Sequence, residues 1–354
     1  MRKKVDILFI LKRREDYSAV IHSARGLSTG LYNSAKFMVD MLNESGISSE
    51  LEIAVDNNCI DRLVTKHRPK YVIIEAFWVV PSKFSVLCKL HPNVKWIVRI
   101  HSEMPFMANE GMAMDWMGGY SSYKNVVLAP NAPRMLEEVR TYIQTRNSMI
   151  REHVEKKVIY LPNSYPKEYR DKKFNRKKHY VDVGCFGAVR PLKNHLLQAV
   201  AALKFAQKND KKLRFHINGG RVENKGDPVM HNLRGMFENL YDRGHRLVLH
   251  TWTPREEFLK LCGKMDVGMQ VSFSETFNIV GADFISQGVP LVGDHDEIPW
   301  MSSLFSAEAQ DCDGIAKALD RAYHMTKINL LINRYGLDRY RDKTKQIWIK
   351  YFTG

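Results

Sequence analysis

Short apolar runs alternate with longer amphipathic stretches along the first half of the chain. The runs predict buried strands at residues 5–10, 51–54, 71–74, 96–100, 126–129 and 158–161. The clearest helical pattern covers residues 32–43. Strands that alternate with helices are typical of βαβ units and a parallel sheet. Residues 1–163 are therefore expected to form an N-terminal Rossmann-like domain.

The same alternation returns in the second half. Strands are predicted at residues 181–186, 214–218, 247–250, 267–271 and 290–292, and helices at 195–207, 255–263 and 283–287. We expect residues 164–335 to form a second Rossmann-like domain, and residues 336–354 to form a C-terminal helix that packs back towards the first. The predicted fold class is α/β, with two Rossmann-like domains facing a cleft.

The junction between the halves is polar and basic. Residues 162–180, PNSYPKEYRDKKFNRKKHY, contain two prolines and no apolar periodicity. This composition predicts an interdomain linker and entry loop.

Composition narrows the class of protein. The 354 residues carry a formal net charge of +15, which favours polyanionic partners such as nucleic acid, anionic lipid or phosphorylated substrates. The alternative is a solubilising surface that binds one nucleotide diphosphate. Five cysteines without CxxC spacing argue against a disulfide set or a zinc site. The short apolar run after the basic start contains Asp6 and predicts a strand, not a signal peptide, so we expect a soluble, cytoplasmic protein.

The most informative segment is SFSETFNIVGADFISQGVPLVGD, residues 272–294. Its pattern predicts a strand end, a loop, and a helix that begins near Phe277, Asn278 and Ile279. The first amides of a helix bind anions, and the carboxylates of Glu275 and Asp283 are suited to hydroxyl groups. The alternative is an amphipathic helix with Glu275 placed in its first turn for electrostatic reasons.

This segment resembles the E-x7-E signature of the retaining GT-B glycosyltransferases. The matching positions are Glu275, Phe277, Gly288, Pro290 and Val292, whereas Thr276, Asn278, Val280 and Asp283 depart from the pattern. The resemblance implies a nucleotide-sugar donor, with a UDP-sugar the first expectation, and no required metal. It also implies that Glu275 positions the donor sugar and Asp283 the nucleotide ribose.

A second candidate site is the loop CFGAVRPLKNH, which contains Gly187, Arg190 and Lys193. Two cations three residues apart can bind one pair of phosphates, Arg as a planar fork and Lys as a point charge. A solvated basic loop is the alternative. The loop resembles the family's Gly–Lys–Asn segment, which implies that it binds the leaving diphosphate.

The first half supplies two further candidates. The segment RGLSTG, which includes Thr29 and Gly30, precedes the predicted helix and can approach phosphates closely; a tight turn is the alternative. His101 follows the strand WIVRI and can contact a sugar hydroxyl or a developing charge. Its alternative is a histidine bonded to a backbone carbonyl, and Glu103 is a weaker candidate for acceptor contact.

Three loops of the second half complete the predicted site or its alternatives. Asn218 and Gly219 end a strand where the backbone can approach the nucleotide. In the resemblance, Trp252 and Thr253 occupy the loop that frames the base, although Trp252 is equally compatible with core filling. The motif Asp294-His295-Asp296 imitates a manganese site that belongs to another glycosyltransferase fold, so no metal is expected there.

The acceptor is open between two partners. The basic linker and the resemblance to phage-encoded members favour transfer to 5-hydroxymethylpyrimidine in DNA. The Met- and aromatic-rich residues 104–123 would then stack on an extruded base, with core packing as the alternative. The alternative function is a cell-envelope glycosyltransferase that docks on an anionic membrane. A non-enzymatic binding module is a third hypothesis, against which Glu275, Arg190 and Lys193 together argue.

Overall fold

The computed structural model describes residues 5–12 and 30–354. They form two compact units, the first comprising residues 5–12, 30–164 and 341–354 and the second residues 165–340. Each unit contains one five-stranded parallel sheet with helices between the strands. The predicted α/β class with two Rossmann-like sheets is confirmed.

The first unit is built on the sheet order β2-β1-β3-β4-β5. Its strands are β1 (Ile7–Lys12), β2 (Ser49–Ala54), β3 (Tyr71–Glu75), β4 (Lys95–Ile100) and β5 (Val126–Pro130). Its helices are α1 (Gly30–Glu44), α2 (Cys59–His67), α3 (Phe84–Leu90), α4 (Met104–Met107), α5 (Ala113–Ser121), α6 (Pro133–Asn147) and α7 (Arg151–Lys157). The central strands are buried on both faces, which explains their nearly continuous apolar sequences.

The second unit has the sheet order β10-β9-β6-β7-β8. Its strands are β6 (Tyr180–Gly184), β7 (Lys212–Ile217), β8 (Arg246–Leu249), β9 (Val267–Gln270) and β10 (Leu291–Gly293). Its helices are α8 (His195–Lys208), α9 (Asp227–Glu238), α10 (Arg255–Cys262), α11 (Ile279–Ser286) and α12 (Cys312–His324), followed by α13 (Thr326–Thr353). The order reverses between β6 and β9, so the loops after these two strands meet at a topological switch point. Ligands of such sheets bind there.

The last part of α13 completes the core of the first unit. Trp348 is fully buried, and its ring stacks on Phe9 with the centroids 5.9 Å apart. Its indole N–H donates a hydrogen bond to the carbonyl of Pro162 at 2.9 Å. The end of α13 is therefore anchored in the core of the first unit by a buried aromatic residue.

Two sequence-based expectations are corrected by the structure. Residues 158–161 do not form a strand; Val158 makes only an isolated bridge to Leu128, because Pro130 has no N–H with which to continue the ladder. Helix α11 begins at Ile279 with Asn278 as its N-cap, which confirms the start predicted near Phe277 and Asn278, whereas the helical segment predicted at residues 283–287 begins four residues too late.

Residues 165–179 are part of the second unit and not a free entry loop. Arg176 lies over the ring of Tyr323, 3.7 Å from its centroid, and donates to the Thr326 hydroxyl at 2.7 Å. Lys178 pairs with Asp266 at 3.0 Å. Several cations of this basic segment are thus used inside the unit. No helix among residues 5–12 and 30–354 is long and apolar enough to cross a membrane.

Candidate functional site

The predicted donor residues of the second unit lie in loops at one edge of its sheet. Gly187, Arg190 and Lys193 follow β6, Asn218 and Gly219 follow β7, Trp252 and Thr253 follow β8, and Glu275, Phe277 and Asn278 follow β9. The strands are parallel, so all four loops leave from the carboxyl edge.

The structure brings Lys193 and Glu275 into direct contact. The Lys193 ammonium forms an ion pair with Glu275 Oε1, and only 13% and 9% of the two side chains are exposed. The backbone N–H of Glu275 donates to the Glu297 carboxylate at 2.9 Å. The two most important sequence-predicted residues, 82 positions apart, therefore form one cation–carboxylate pair at the switch point.

Buried amides hold the two loops together beneath this pair. Asn194 adopts a left-handed backbone with φ 56°, which Asn tolerates better than most residues. Its side-chain amide donates to the carbonyls of Val271 at 3.1 Å and Ala309 at 2.7 Å. Gln198 donates to the carbonyl of Lys193 at 2.8 Å and accepts from the N–H of Val271 at 2.9 Å. The Lys193–Glu275 geometry is therefore fixed by the scaffold.

The glycine of the β6 loop and the asparagine after β7 are also linked. Gly187 has φ 123°, a conformation that favours glycine. Its N–H donates to Asn218 Oδ1 at 2.9 Å, so the Asn218 side chain positions the loop. A Cβ on Gly219 would lie 2.9 Å from the Leu249 side chain, so this glycine also serves packing. Arg190 begins the short turn that contains Lys193 and is partly buried.

The start of α11 is built as an N-cap. Asn278, with φ 61°, accepts from the N–H of Gly281 at 2.7 Å and donates to Gln270 Oε1 at 3.0 Å. Phe277 is buried, and its carbonyl accepts from the Trp300 indole N–H at 2.7 Å. Ile279 is the first helical residue and is partly exposed. Asn278 and Phe277 thus position the helix N-terminus near Glu275.

Asp283 occupies a different environment from Glu275. Its side chain is 2% exposed and pairs with Arg255 at 2.9 Å. It also accepts from the Tyr165 hydroxyl at 2.7 Å. Burial raises the pKa of Asp283 above its usual value, and the charge of Arg255 offsets part of this rise. The ribose contact remains a prediction, and the structure gives this carboxylate two protein partners.

Trp252 is half-buried beneath a cation. The guanidinium of Arg221 lies 4.6 Å from the centroid of the Trp252 ring, a cation–π geometry. Thr253 is also half-buried. Neither residue belongs to the fully buried core, so both remain candidates for the edge of a ligand site.

In the first unit, His101 directly follows β4 and contacts a buried carboxylate. His101 Nε2 bonds to Glu75, and Nδ1 lies 3.4 Å from the Asn131 amide nitrogen. Burial lowers the pKa of His101 below its usual value; Glu75 opposes this and Arg99 adds to it. The structure thus shows the His101 imidazole bonded to a side-chain carboxylate, where the alternative from the sequence was a backbone carbonyl.

Glu75 is a candidate positioning residue that the sequence analysis missed. It is fully buried and pairs with Arg99 at 2.9 Å, and Arg99 also donates to Asn163 Oδ1 at 2.5 Å. Burial raises the pKa of the Glu75 carboxyl, whereas the charges and hydrogen bonds of Arg99 and His101 together lower it by a larger amount. The pKa of Glu75 therefore lies below its usual value. The sequence does contain a signal for this residue, because a carboxylate ends the apolar run YVIIE at the carboxyl edge of the sheet.

The segment that follows His101 is partly packed into the first unit. Glu103 is buried and pairs with Arg134 at 2.5 Å. Met107, Met117 and Tyr120 belong to the hydrophobic core of that unit. Core packing therefore accounts for these three apolar residues of the 104–123 stretch, and base stacking by the stretch remains a prediction.

The glycine-rich loop of the first unit can be described only in part. Gly30 is the first residue of α1, and a Cβ built on it would meet no atom within 4 Å. Thr29 and the preceding residues of RGLSTG lie outside the described residues. The predicted phosphate contact of this loop therefore remains a prediction.

The motif Asp294-His295-Asp296 places three possible ligand atoms within 4.8 Å of one another. The Asp296 N–H donates to Asp294 Oδ1 at 3.1 Å, and His295 bonds to the Ser306 hydroxyl at 3.0 Å. His295 and Asp296 are exposed, and exposed groups of this kind are common on protein surfaces, so we assign the motif no role.

We expect His195 to make the stability of the protein depend on pH. Burial, together with the charges of Lys193 and Arg190, lowers the pKa of its imidazole to about 3, whereas the unfolded chain keeps a value of about 6.5. The neutral ring therefore stabilises the fold fully above pH 6.5, and this contribution is lost as the pH falls towards 3, because the unfolded chain binds the proton first. From this residue the free energy of unfolding should fall by about 0.7 kcal/mol between pH 7 and 6, and by about 1.4 kcal/mol per pH unit once the pH is well below 6.5.

Denaturant unfolding at pH 7, 6 and 5 measures this slope, and His195→Gln should lack this component. Equal slopes in the two proteins would contradict the assignment.

No protein-family profile and no curated protein sequence matches the chain. Several solved structures do match it. A UDP-forming α,α-trehalose-phosphate synthase from Burkholderia vietnamiensis is similar at 10% identity over 99% of this chain and 97% of its own, with a TM-score of 0.62. Sucrose-phosphate synthase from Thermosynechococcus elongatus is similar at 13% identity over 98% of this chain and 99% of its own, with a TM-score of 0.62. The catalytic domain of starch synthase IV from Arabidopsis thaliana, bound to ADP and acarbose, is similar at 10% identity over 99% of this chain and 100% of its own, with a TM-score of 0.65.

These likenesses extend over nearly the whole chain, although the identities are low. At such low identities the likenesses show a shared architecture and do not assign roles to individual residues of this chain. Together with the two parallel sheets, they show that the chain has the GT-B fold.

Proposed function

We propose that the protein is a retaining glycosyltransferase that moves a sugar from a nucleotide-sugar donor, in the first instance a UDP-sugar, to an acceptor hydroxyl. The observation that carries the proposal is the Lys193–Glu275 pair at the switch point of the second sheet. One cation beside one carboxylate suits a ligand whose anionic diphosphate adjoins a hydroxyl-rich sugar. Among the similar structures, the trehalose-phosphate synthase is named as UDP-forming and the starch synthase holds ADP.

In this proposal the second unit binds the donor. Arg190 and Lys193 bind the diphosphate and stabilise the negative charge that develops on it as the glycosidic bond breaks. The N-terminal amides of α11, beside Phe277 and Ile279, contribute further to this stabilisation. Glu275 accepts hydrogen bonds from the donor sugar and orients its anomeric carbon.

The transfer step needs no side-chain nucleophile. The bond between the anomeric carbon and the phosphate oxygen breaks, and the acceptor oxygen bonds to that carbon on the same face. The acceptor proton passes to the departing phosphate, so the configuration is retained. His101, held by Glu75, is proposed to contact a sugar hydroxyl from the first unit, with Thr29 and Gly30 near the donor phosphates.

Activity is expected to persist in EDTA, because the cations of Arg190 and Lys193 take the place of a metal at the diphosphate. Transfer would be measured after EDTA treatment with and without added manganese, alongside Asp296→Asn as a matched variant. The prediction is contradicted if EDTA abolishes activity, manganese restores it, and Asp296→Asn lowers it in the same way. Asp294-His295-Asp296 would then be a metal site.

For the acceptor, we propose DNA that carries 5-hydroxymethylpyrimidine. The net charge of +15 supports a polyanionic partner. Not every cation of the basic segment can contact DNA. Arg176 and Lys178 are engaged within the second unit, whereas Lys173 and Lys177 are exposed.

We expect a hexose or pentose mass increment on hydroxymethylated duplex DNA incubated with enzyme and nucleotide sugar, digested to nucleosides and analysed by mass spectrometry. Lys173→Glu with Lys177→Glu should weaken DNA binding and leave nucleoside diphosphate binding unchanged, and Lys260→Glu, an exposed change on α10, is the control. No increment with any common nucleotide sugar would reject the DNA acceptor.

One surface favours the alternative of a cell-envelope acceptor. Three apolar side chains on successive turns of α13 are exposed: Ile328 at 43%, Leu331 at 70% and Tyr335 at 63%. Exposed Lys327 and Arg339 flank them, which is the pattern of a helix that lies on an anionic membrane. Flotation with anionic but not neutral liposomes, lost in Leu331→Ser, would favour this acceptor.

A further inference from the structure

The second acidic position of the E-x7-E-like segment lies in a three-residue polar cluster. Arg255 pairs with Asp283 at 2.9 Å, the Tyr165 hydroxyl donates to Asp283 at 2.7 Å, and Arg255 also donates to that hydroxyl at 2.8 Å. The three groups thus bond to one another in a closed triangle. Tyr165 lies within 3.2 Å of the Ser286 hydroxyl as well.

The members of the triangle differ in their access to solvent. Asp283 and Tyr165 are 2% and 3% exposed, whereas 22% of the Arg255 side chain is exposed. Both partners bond to Oδ1 of Asp283, and almost none of the residue's surface is left open to a ribose. Removing Arg255 would also leave the buried charge of Asp283 uncompensated, which is strongly unfavourable.

Arg255 connects the triangle to the loop after β8, which is proposed to frame the nucleotide base. It is the first residue of α10 and follows the segment Trp252, Thr253 and Pro254 directly. Asp283 lies on α11, the helix that Glu275 precedes. The triangle therefore ties the loop that frames the base to the helix that carries the sugar-binding end of the site.

The short side chain at position 283 fits this arrangement. A glutamate would carry its carboxylate one methylene further from the backbone, so the contacts of 2.7 Å to the Tyr165 hydroxyl and 2.9 Å to Arg255 would have to change. An aspartate leaves room for both, so the departure from the family pattern and the triangle are explained together.

We propose that Asp283 is a positioning residue that acts on the donor nucleoside through Arg255, and that it does not contact the ribose itself. This inference rests on the proposed nucleotide-sugar function. Its distinctive consequence is that the effect of Asp283 on donor binding does not depend on the ribose hydroxyls.

The experiment compares UDP with 2′,3′-dideoxyuridine diphosphate by calorimetry in the full-length protein. Asp283→Asn should weaken both ligands by the same factor, about tenfold, a typical coupling between contacting residues. Arg255→Met should give a similar factor, and the double variant should lose little more than either single variant. Arg255→Lys, which keeps the charge next to Asp283, should restore part of the affinity.

A second readout separates positioning from a general loss of stability. Thermal unfolding identifies any variant that fails to fold, and Tyr165→Phe, which removes only one hydroxyl of the triangle, should lower UDP affinity while the protein stays folded. The turnover number at saturating donor should change less than KM in all variants. Asn329→Ala, a buried polar change beside β10 that does not contact the triangle, serves as the structural control and should not alter KM.

Each remaining outcome counts against the inference. If Asp283→Asn weakens UDP but not the dideoxy ligand, the carboxylate contacts the ribose and the proposal is wrong. Additive losses in Asp283→Asn and Arg255→Met would also reject it, because the two residues would then act independently. If the wild-type protein binds UDP, ADP and GDP no better than inorganic phosphate, the proposed function itself fails, and the inference fails with it.

Discussion

Replacement of Glu275 by Gln should lower transfer at saturating donor by about 100-fold or more, which corresponds to about 3 kcal/mol of transition-state stabilisation. The variant keeps the size of the side chain but removes its charge and one hydrogen-bond acceptor. Because Lys193 then loses its carboxylate partner, nucleoside diphosphate binding should not weaken. A fall in turnover without a rise in the dissociation constant of UDP is therefore the expected signature.

Glu308→Gln is the matched control, since Glu308 is an exposed carboxylate of the same unit. It should retain wild-type activity. Circular dichroism would verify that the Glu275 variant is folded, and wild-type turnover in that variant would remove Glu275 from the mechanism.

Arg190→Ala combined with Lys193→Ala should abolish both donor hydrolysis and transfer, because both reactions depend on departure of the same diphosphate. Two charge-assisted contacts contribute about 3 kcal/mol or more together, so UDP binding measured by calorimetry should weaken about a hundredfold. Lys204→Ala combined with Lys208→Ala, which removes two exposed lysines of α8, is the control for the change in net charge. Native-strength UDP binding by the double variant would mean that the diphosphate is bound elsewhere.

The fold could be predicted because its strands are buried on both faces. Runs such as WIVRI and YVIIE are apolar over most of their length, and polar residues begin where each strand leaves the sheet. Helices were harder to predict. Helix α6 buries only Met135, Val139 and Ile143, a stripe of single residues four apart, and its many charged positions conceal that stripe in a linear reading.

The site was predictable where a local pattern marks the carboxyl end of a strand. Lys193 and Glu275 each lie in such a loop, and the switch in strand order places the loops side by side. The partners of Asp283 were not predictable in the same way. No local pattern shows that Tyr165 and Arg255 converge on this carboxylate, because that convergence depends on how α10 and α11 pack.

The burial of Trp348 against Phe9 also has a consequence for biosynthesis. During translation, β1 through β5 leave the ribosome long before the residues that cover Phe9. The core of the first unit therefore cannot be completed, and the apolar face around Phe9 stays exposed, until the whole second unit has been synthesised. Its nascent form is expected to depend on chaperones, and expression of residues 1–164 alone should give an aggregating product, whereas residues 165–340 contain their own complete sheet.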